Sequence, residues 1–464
     1  MPKDPEQLYT ERLNRYVAAM RCGEPDCVPI RPLAAEVTAK YAGFTCQEVT
    51  HDYHKAFEAV IRCCRDFDWD AVVPNMVYVW TGLTQAMDLK YYAIPGIDIP
   101  PEVAFQYREP SEQNAYMRRE EYPELIEDPV RFLFSKWLPR VSGEIPEPGS
   151  PATHRGNLAL VKGGMAMLEY FYAFGPQLER MRRECGTPCS IAGMLKAPLD
   201  VLADKLRGYI GLAFDLMEIP DQVLAACRAL QPHLQNLALS GLDPSQQLPI
   251  PIWMHRGCVP FISDKLFETH YWATIRPVIE AVWARGNQVL LYAEGDWTAH
   301  LDAFAALPAG SVIFHLDRTD VKEAKRVLGK RFCLSGGVPN FLLATGTPDA
   351  VRACCKNLID ELGDGAGYIM DASAIMQNDA SIENLRAMTD FTREYGRYGR
   401  ATRVPQAPAP QPVPAAPGAG VCFPWEAKRA ELGAIPGDPA VAKRVWEQVD
   451  SLANLFIWHV LLSF

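Results

Sequence analysis

The fold is decided by residues 288–336, which read QVLLYAEGDWTAHLDAFAALPAGSVIFHLDRTDVKEAKRVLGKRFCLSG. Three short apolar runs in this stretch have the composition of buried strands, and the segments between them have helical periodicity. Short apolar strands that alternate with helices indicate a parallel sheet with helical crossovers. The predicted elements are strands over 288–294, 311–317 and 332–336, and helices over 300–306 and 321–328.

The same alternation extends in both directions from this stretch. An open doubly wound sheet and a closed (β/α)8 barrel both fit the pattern, but no Gly-x-Gly-x-x-Gly motif follows a strand, which disfavours the dinucleotide-binding sheet. No change in composition interrupts the pattern before residue 400, so an α/β fold, a TIM barrel with insertions, is predicted for residues 1–400. The additional predicted elements are strands over 28–31, 71–79, 250–255 and 367–371, and a helix over 348–362.

The composition is that of a protein with a large buried core. Of the 464 residues, 48% are hydrophobic and 22% are charged. Lys and Arg number 46 and Asp and Glu 56, so the formal net charge is −10, which argues against binding to nucleic acid or to an anionic membrane. No apolar stretch reaches the ~20 residues of a membrane span. Residues 1–15 do not resemble a signal peptide, and the expected location is the cytoplasm.

A proline-rich stretch divides the chain after residue 400. Residues 401–420 contain six prolines and six alanines, a composition typical of an extended linker. Residues 421–464 are predicted to form a helical tail, with its main helix over 438–464 because Asp438 and Pro439 suit an N-cap and a first turn. The apolar run over 455–462 is expected to dock on this chain or on a partner. Deletion of the linker and tail is expected to leave a folded barrel.

Polar side chains end several of the predicted strands. The carboxyl ends of the strands line the active site of a TIM barrel, so Glu294, His315 and Asp371 are expected to converge on one face. Carboxylate and imidazole groups are common zinc ligands, and three protein ligands leave a fourth position for substrate. Two alternatives remain: the three side chains bond to one another across the barrel mouth, or Glu294 is a general acid or base.

Further side chains at these strand ends are candidates for contact with a substrate. His255 ends the predicted strand over 250–255, Tyr292 lies near the end of the next strand, and Trp297 follows it. Imidazole and aromatic side chains at these positions suit a substrate pocket, and packing within the barrel is the alternative for each.

Several segments in the right order resemble the uroporphyrinogen decarboxylase superfamily. The landmark is APLD at 197–200, followed by DKLRG at 204–208 and DL at 215–216. Later segments with the same resemblance are GVP at 337–339, GTP at 346–348 and ENLRAM at 383–388. The resemblance covers about residues 10–396 and implies a TIM barrel of this type.

The superfamily contains decarboxylases and zinc-dependent methyltransferases that act with corrinoid proteins. Residues 29–34 lack the arginine-rich segment of the decarboxylases, and YAEG at 292–295 replaces the His-x-Cys-Gly of the coenzyme M methyltransferases. The methyltransferases of O-demethylase systems resemble Glu-x14-Glu-x20-His. Glu294 and His315 fit the second interval, whereas Glu280 is one residue short of the first. Glu294 and His315 are therefore the expected zinc ligands, with Asp371 or Glu280 as the third.

The resemblance implies transfer of a methyl group between a small, aromatic or phenolic substrate and a cobalamin. Zinc would polarise the heteroatom that carries the methyl group. The Asp-x-His-x-x-Gly motif of cobalamin-binding modules is missing, so a separate corrinoid protein is the expected partner. The tail could dock that partner or mediate homo-oligomer formation. A metal-free decarboxylase, a lyase of the uroporphyrinogen decarboxylase type, and a non-catalytic binding protein are the alternatives.

Overall fold

The computed structural model describes residues 4–76, 80–363 and 367–463. Two short strands, β1 (Tyr92–Ala93) and β2 (Gln106–Tyr107), form an antiparallel pair. The remaining strands of the described residues form one parallel sheet in chain order. These strands are β3 (Leu195–Lys196), β4 (Ile250–Met254), β5 (Val289–Ala293), β6 (Val312–Leu316), β7 (Cys333–Gly336) and β8 (Tyr368–Ile369).

Two extended stretches close the sheet into a barrel. Ile30 pairs in parallel with Met370 beside β8, and Val72 pairs in parallel with Cys189 just before β3. The backbone N–H of Asp70 donates to the carbonyl oxygen of Ile30 at 2.8 Å, which joins the two stretches. Eight extended segments therefore form a ring, and the predicted TIM barrel is confirmed.

The strands lie where the apolar runs predict them. The strands β4, β5, β6 and β7 fall within the predicted runs and differ from them by one residue at most at each end. Every residue of these four strands is buried, as expected for parallel strands covered on both faces. The predicted strands over 28–31 and 71–79 form only isolated bridges, and positions 77–79 lie outside the described residues.

Helices connect the strands and cover the barrel. The longer α-helices are Pro5–Met20, Tyr53–Asp66, His154–Arg180, Tyr209–Glu218, Pro220–Ser240, Ala273–Ala284, Val321–Leu328, Pro348–Leu362, Ile382–Tyr395 and Pro439–Ser463. The shorter α-helices are Val37–Ala42, Cys46–His51, Thr81–Met87, Tyr122–Glu127, Pro129–Phe132, Leu138–Val141, Pro198–Val201, Asp264–Leu266, Leu301–Ala305, Asn340–Thr345 and Trp425–Glu431. Four π-helical turns and three 3-10 turns join these helices in the described residues: Leu133–Trp137, Met181–Cys185, Leu202–Arg207, Phe267–Trp272, Glu112–Asn114, Arg119–Glu121 and Thr298–His300.

The linker and the tail pack against the barrel. Arg21 Nη1 donates to the carbonyl oxygen of Pro405 at 2.8 Å, and the N–H of Gln411 donates to that of Ala284 at 2.6 Å. Near the end of the tail helix, Ile457, Trp458, Val460 and Leu461 are fully buried and belong to the same core cluster as the barrel. The tail therefore covers part of the barrel core, and the folding of the barrel without residues 401–464 stays a prediction. No helix of the described chain is both long enough and apolar enough to span a membrane.

Candidate active site

A cavity of about 980 Å³ lies at the carboxyl ends of the barrel strands. Its wall includes Lys196 at the end of β3, His255 just after β4, Glu294 just after β5 and Asp317 just after β6. A cavity of this size can hold a drug-sized molecule. The strand ends around this cavity are the place at which TIM barrels carry their chemistry.

Asp204 is the centre of a charged cluster in the cavity wall. Its carboxylate accepts hydrogen bonds from Lys196 Nζ at 2.8 Å and from Arg256 Nε at 3.0 Å, and lies 3.0 Å from His255 Nδ1. Burial alone would raise the pKa of Asp204, but the neighbouring Lys196, His255 and Arg256 charges hold it well below its usual value. Asp204 is therefore an anion at neutral pH, and its contact orients the His255 ring.

Asp200 fixes the backbone that carries this cluster. Its Oδ1 accepts from the backbone N–H of Arg256 at 2.7 Å, and its Oδ2 accepts from the Tyr271 hydroxyl at 2.7 Å. The carboxyl group is fully buried, and burial raises the pKa of Asp200. The loop that follows β4 is thus attached to the helical segment that follows β3.

His255 and Glu294 face the cavity together. His255 Nε2 lies 3.6 Å from Glu294 Oε2, and the two side chains are 27% and 52% exposed. The backbone of Glu294 is held on both sides. Its carbonyl oxygen accepts a hydrogen bond from Trp297 Nε1 at 2.9 Å, and the N–H of Glu294 donates to the carbonyl oxygen of Met254 at 3.1 Å. An oriented imidazole beside an exposed carboxylate can bind a polar hydrogen of a ligand and exchange a proton with it.

Aromatic and buried cationic side chains complete the wall of the cavity. Lys205 is 2% exposed, and its Nζ lies 4.2 Å from the ring centroid of Tyr91. Burial, and to a smaller extent the Lys196 charge, lowers the pKa of Lys205 to about 7. The aromatic lining residues include Tyr92, Phe105, Tyr107, Tyr170, Phe171, Phe174 and Phe261.

The structure brings two of the predicted site residues, Glu294 and His255, to the cavity wall. It buries the two aromatic candidates beneath the wall. Tyr292 is 1% exposed, accepts a hydrogen bond from the N–H of Ile375 at 2.6 Å and stacks on His315. Trp297 is fully buried and holds the Glu294 backbone. The prediction that Tyr292 and Trp297 contact the substrate is therefore replaced by a packing role for each.

His315 lies deeper than Glu294, inside the barrel. The register pairs Tyr292 with His315, whereas Glu294 lies two residues further along, which is about 7 Å of strand. The His315 ring is fully buried, and its Nε2 donates to the carbonyl oxygen of Ser373 at 3.1 Å. Burial, together with the Arg31 charge, holds the pKa of His315 well below its usual value. The expectation that His315 lies at the mouth as a ligand is not met.

Asp371 is fully buried near Arg31 and His315. Its Oδ1 accepts from the N–H of Leu33 at 3.2 Å and of Ala372 at 2.7 Å, and its Oδ2 lies 3.5 Å from Arg31 Nη2. Arg31 Nη2 also lies 3.3 Å from His315 Nδ1. Burial raises the pKa of Asp371 to about 7. Asp371 therefore belongs to a buried polar network in the barrel.

Glu280 is not part of the cavity wall. It lies on the helix Ala273–Ala284 before β5, is 41% exposed and pairs with Arg276 at 2.8 Å. A carboxylate on the solvent face of a covering helix does not reach the cavity. The prediction of Glu280 as a third ligand is therefore corrected.

The residues present do not fit the predicted zinc ion. The four predicted ligands occupy three separate places: the cavity mouth, the barrel interior and an outer helix. Within the ranges that the structure describes, no three His, Cys, Asp or Glu side chains are arranged to hold a metal ion. The Asp204 carboxylate lies 3.0 Å from His255 Nδ1, and Lys196 and Arg256 already bond to it.

Sequence reasoning missed the charged cluster as a functional group. The signal was present, because Asp200 and Asp204 belong to the APLD and DKLRG segments that carry the family resemblance. Lys196 precedes the first segment by one residue and ends β3. A strand-end test applied to β3 would have selected Lys196 together with His255 and Glu294.

Comparison with known proteins agrees with this fold. Residues 177–395 match the sequence model of the Uroporphyrinogen decarboxylase (URO-D) family, which supports the superfamily resemblance found in the sequence. The solved structure of a methyltransferase from Methanosarcina mazei is similar to 82% of this chain and to 98% of that chain. The TM-score is 0.51 and the sequence identity is 15%, a likeness of fold. A search of curated proteins finds no match.

Proposed function

We propose that the chain is an enzyme that moves a methyl group between a small aromatic or phenolic substrate and a cobalamin carried by a separate corrinoid protein. The observation that carries the proposal is the cavity at the strand ends, with His255 and Glu294 exposed on its wall. The family match and the fold likeness to a methyltransferase support this class of reaction.

Residues of the chain donate a proton to the substrate oxygen in one direction and remove it in the other. When the methyl group leaves, the carbon–oxygen bond breaks and its electron pair stays on the oxygen. His255 Nε2 then donates a proton to that oxygen, while Asp204 stabilises the ring from the Nδ1 side. In the opposite direction, the neutral His255 ring accepts the phenolic proton and raises the nucleophilicity of the oxygen, while the Glu294 carboxylate beside it stabilises the charged ring. The cobalamin, when present, supplies the cobalt that accepts or donates the methyl group.

This proposal assigns no step to zinc, because the donor set does not fit the ion. Activation of the oxygen by proton transfer takes the place of activation by a metal. Each mode serves the same purpose, which is to stabilise charge on the leaving or attacking oxygen. The zinc content of the purified chain tests the choice directly. Stoichiometric zinc that is lost in Glu294→Ala would contradict the role of this carboxylate as the partner of the His255 ring.

A metal-free decarboxylase is the second candidate. Lys196 and Arg256 lie on the cavity wall as two cations, and cations of this kind bind substrate carboxylates. Release of carbon dioxide by the chain alone, without metal or corrinoid, would favour this lyase and contradict the transferase.

The test of the proposed transferase uses the full-length chain, 4-methoxybenzoate and cob(I)alamin. We expect the cob(I)alamin spectrum to convert to that of methylcobalamin only when all three are present. His255→Gln should lower the rate by about 10²–10⁴-fold, which is the usual loss when a general acid is removed. Glu280→Gln, on the outer helix, is the control and should keep the rate. An unchanged rate in His255→Gln would contradict the mechanism.

A further inference from the structure

The tail helix supplies part of the cavity wall. His459 and Leu462, near the end of the helix Pro439–Ser463, line the same cavity as His255 and Glu294. The His459 ring lies 5.1 Å from the ring of Phe171, centroid to centroid, and Phe171 belongs to the helix His154–Arg180. Two helices outside the strand ring therefore meet in the cavity wall.

Core packing fixes the position of this part of the wall. Ile457, Trp458, Val460 and Leu461 are fully buried, and Trp458 stacks on His233 with 5.2 Å between the ring centroids. These residues alternate with His459 and Leu462 along the last turns of the helix. The two lining residues are thus held in place by neighbours that cannot move without opening the core.

This part of the cavity wall differs chemically from the part around His255. Burial lowers the pKa of His459, and its Nδ1 donates to the carbonyl oxygen of Leu455 at 2.8 Å, so the ring is neutral at pH 7. The neighbouring lining residues are apolar. We define the apolar compartment as Phe171, Phe174, Leu178, His459 and Leu462.

We propose that the apolar compartment binds the apolar arm of an elongated substrate whose reacting polar end lies at His255 and Glu294. The identity of the reacting end rests on the proposed function, whereas the apolar arm rests on the wall itself. Burial of apolar surface is the main source of affinity in cavities of this kind, and a few polar groups fix orientation. The tail therefore determines substrate length and class.

The test measures binding by calorimetry with two probes, phenol and 4-phenylphenol, on the full-length chain without corrinoid. We expect 4-phenylphenol to bind the wild type at least about tenfold more tightly, because its second ring enters the apolar compartment. Phe171→Ser should remove most of this gain and change phenol affinity by less than about twofold. Phe171 is 38% exposed, so the substitution opens no core cavity.

A second variant and a control test whether the change in affinity arises from the apolar compartment. Leu462→Trp fills the compartment and should also weaken 4-phenylphenol by about tenfold while phenol still binds. Val449→Ser, at a position 61% exposed on the same helix, should change neither affinity. Equal affinity of 4-phenylphenol for wild type and both compartment variants would overturn the proposal. Failure of methyl transfer with these binding differences intact would instead contradict only the proposed reaction.

Discussion

Glu36 is a carboxylate that is fully buried just before the helix Val37–Ala42. Burial raises the pKa of Glu36 to about 7, whereas an unfolded chain releases this proton near a pKa of about 4.3. The folded state thus binds the proton more tightly than the unfolded state. Its contribution to stability is complete below about pH 4 and is lost as the pH rises towards 7.

Replacement of Glu36 by Gln should therefore change the pH dependence of stability. Because the amide does not ionise, the free energy of unfolding of Glu36→Gln minus that of wild type should increase by roughly 2–3 kcal/mol between pH 5 and pH 8. Urea unfolding at the two pH values measures this difference. Glu280→Gln is the exposed control and should show no such increase. The same difference at both pH values for Glu36→Gln would contradict the predicted burial of the charge.

At the scale of single elements, the end of β7 lies in close contact with the neighbouring strand β6. Gly336 has a φ of +84°, and a Cβ placed there would lie 2.8 Å from His315 Cε1 and 2.8 Å from the Leu316 carbonyl oxygen. Only glycine meets both the backbone and the space requirement at this position. The buried His315 imidazole thus leaves no space for a side chain at position 336.

Gly336→Ala should cost roughly 3 kcal/mol in the free energy of unfolding, as the sum of the left-handed backbone and a steric clash. Gly399→Ala is the matched control, since Gly399 has a φ of +66° and no atom within 4 Å of its added Cβ. It should cost about 1 kcal/mol, from the backbone alone. Urea unfolding of both variants measures the difference, and equal costs would mean that the space around Gly336 is not limiting.

The sequence could predict the positions of the strands along the chain, but not how far neighbouring strands are shifted relative to each other. The apolar runs of β4 to β7 identify these strands because each run is short, buried and followed by a polar residue. Glu294 and His315 both look like strand-end residues in the sequence, yet they differ by two residues of depth in the barrel. The relative shift of neighbouring strands depends on packing across the whole ring, which no local pattern contains.

At the scale of the whole molecule, barrel and tail form one core. Trp458→Ala should lower the free energy of unfolding by about 3–5 kcal/mol, because a fully buried indole is lost. Val449→Ser should change the free energy of unfolding by less than about 0.5 kcal/mol, because Val449 is an exposed position on the same helix. Thermal unfolding should remain a single transition in both variants. A separate early transition in Trp458→Ala would contradict a shared core.

The barrel was predictable at this scale and the docking of the tail was not. Alternating strands and helices before residue 400, together with the APLD landmark, were enough for the fold class. The apolar run over 455–462 showed that the tail must cover something. The apolar run contained no information about which surface the tail covers, because the hydrophobic effect is not directional.

The placement of His459 and Leu462 in the cavity wall makes tail docking and ligand binding reciprocal. A ligand that contacts these residues must favour the docked tail by the same free energy with which the docked tail favours the ligand. Residues 401–420 keep the tail at a high local concentration near its binding surface. The linker therefore acts as a tether that keeps the cavity wall complete, and cleavage of that tether would weaken ligand binding without altering any residue that touches the ligand.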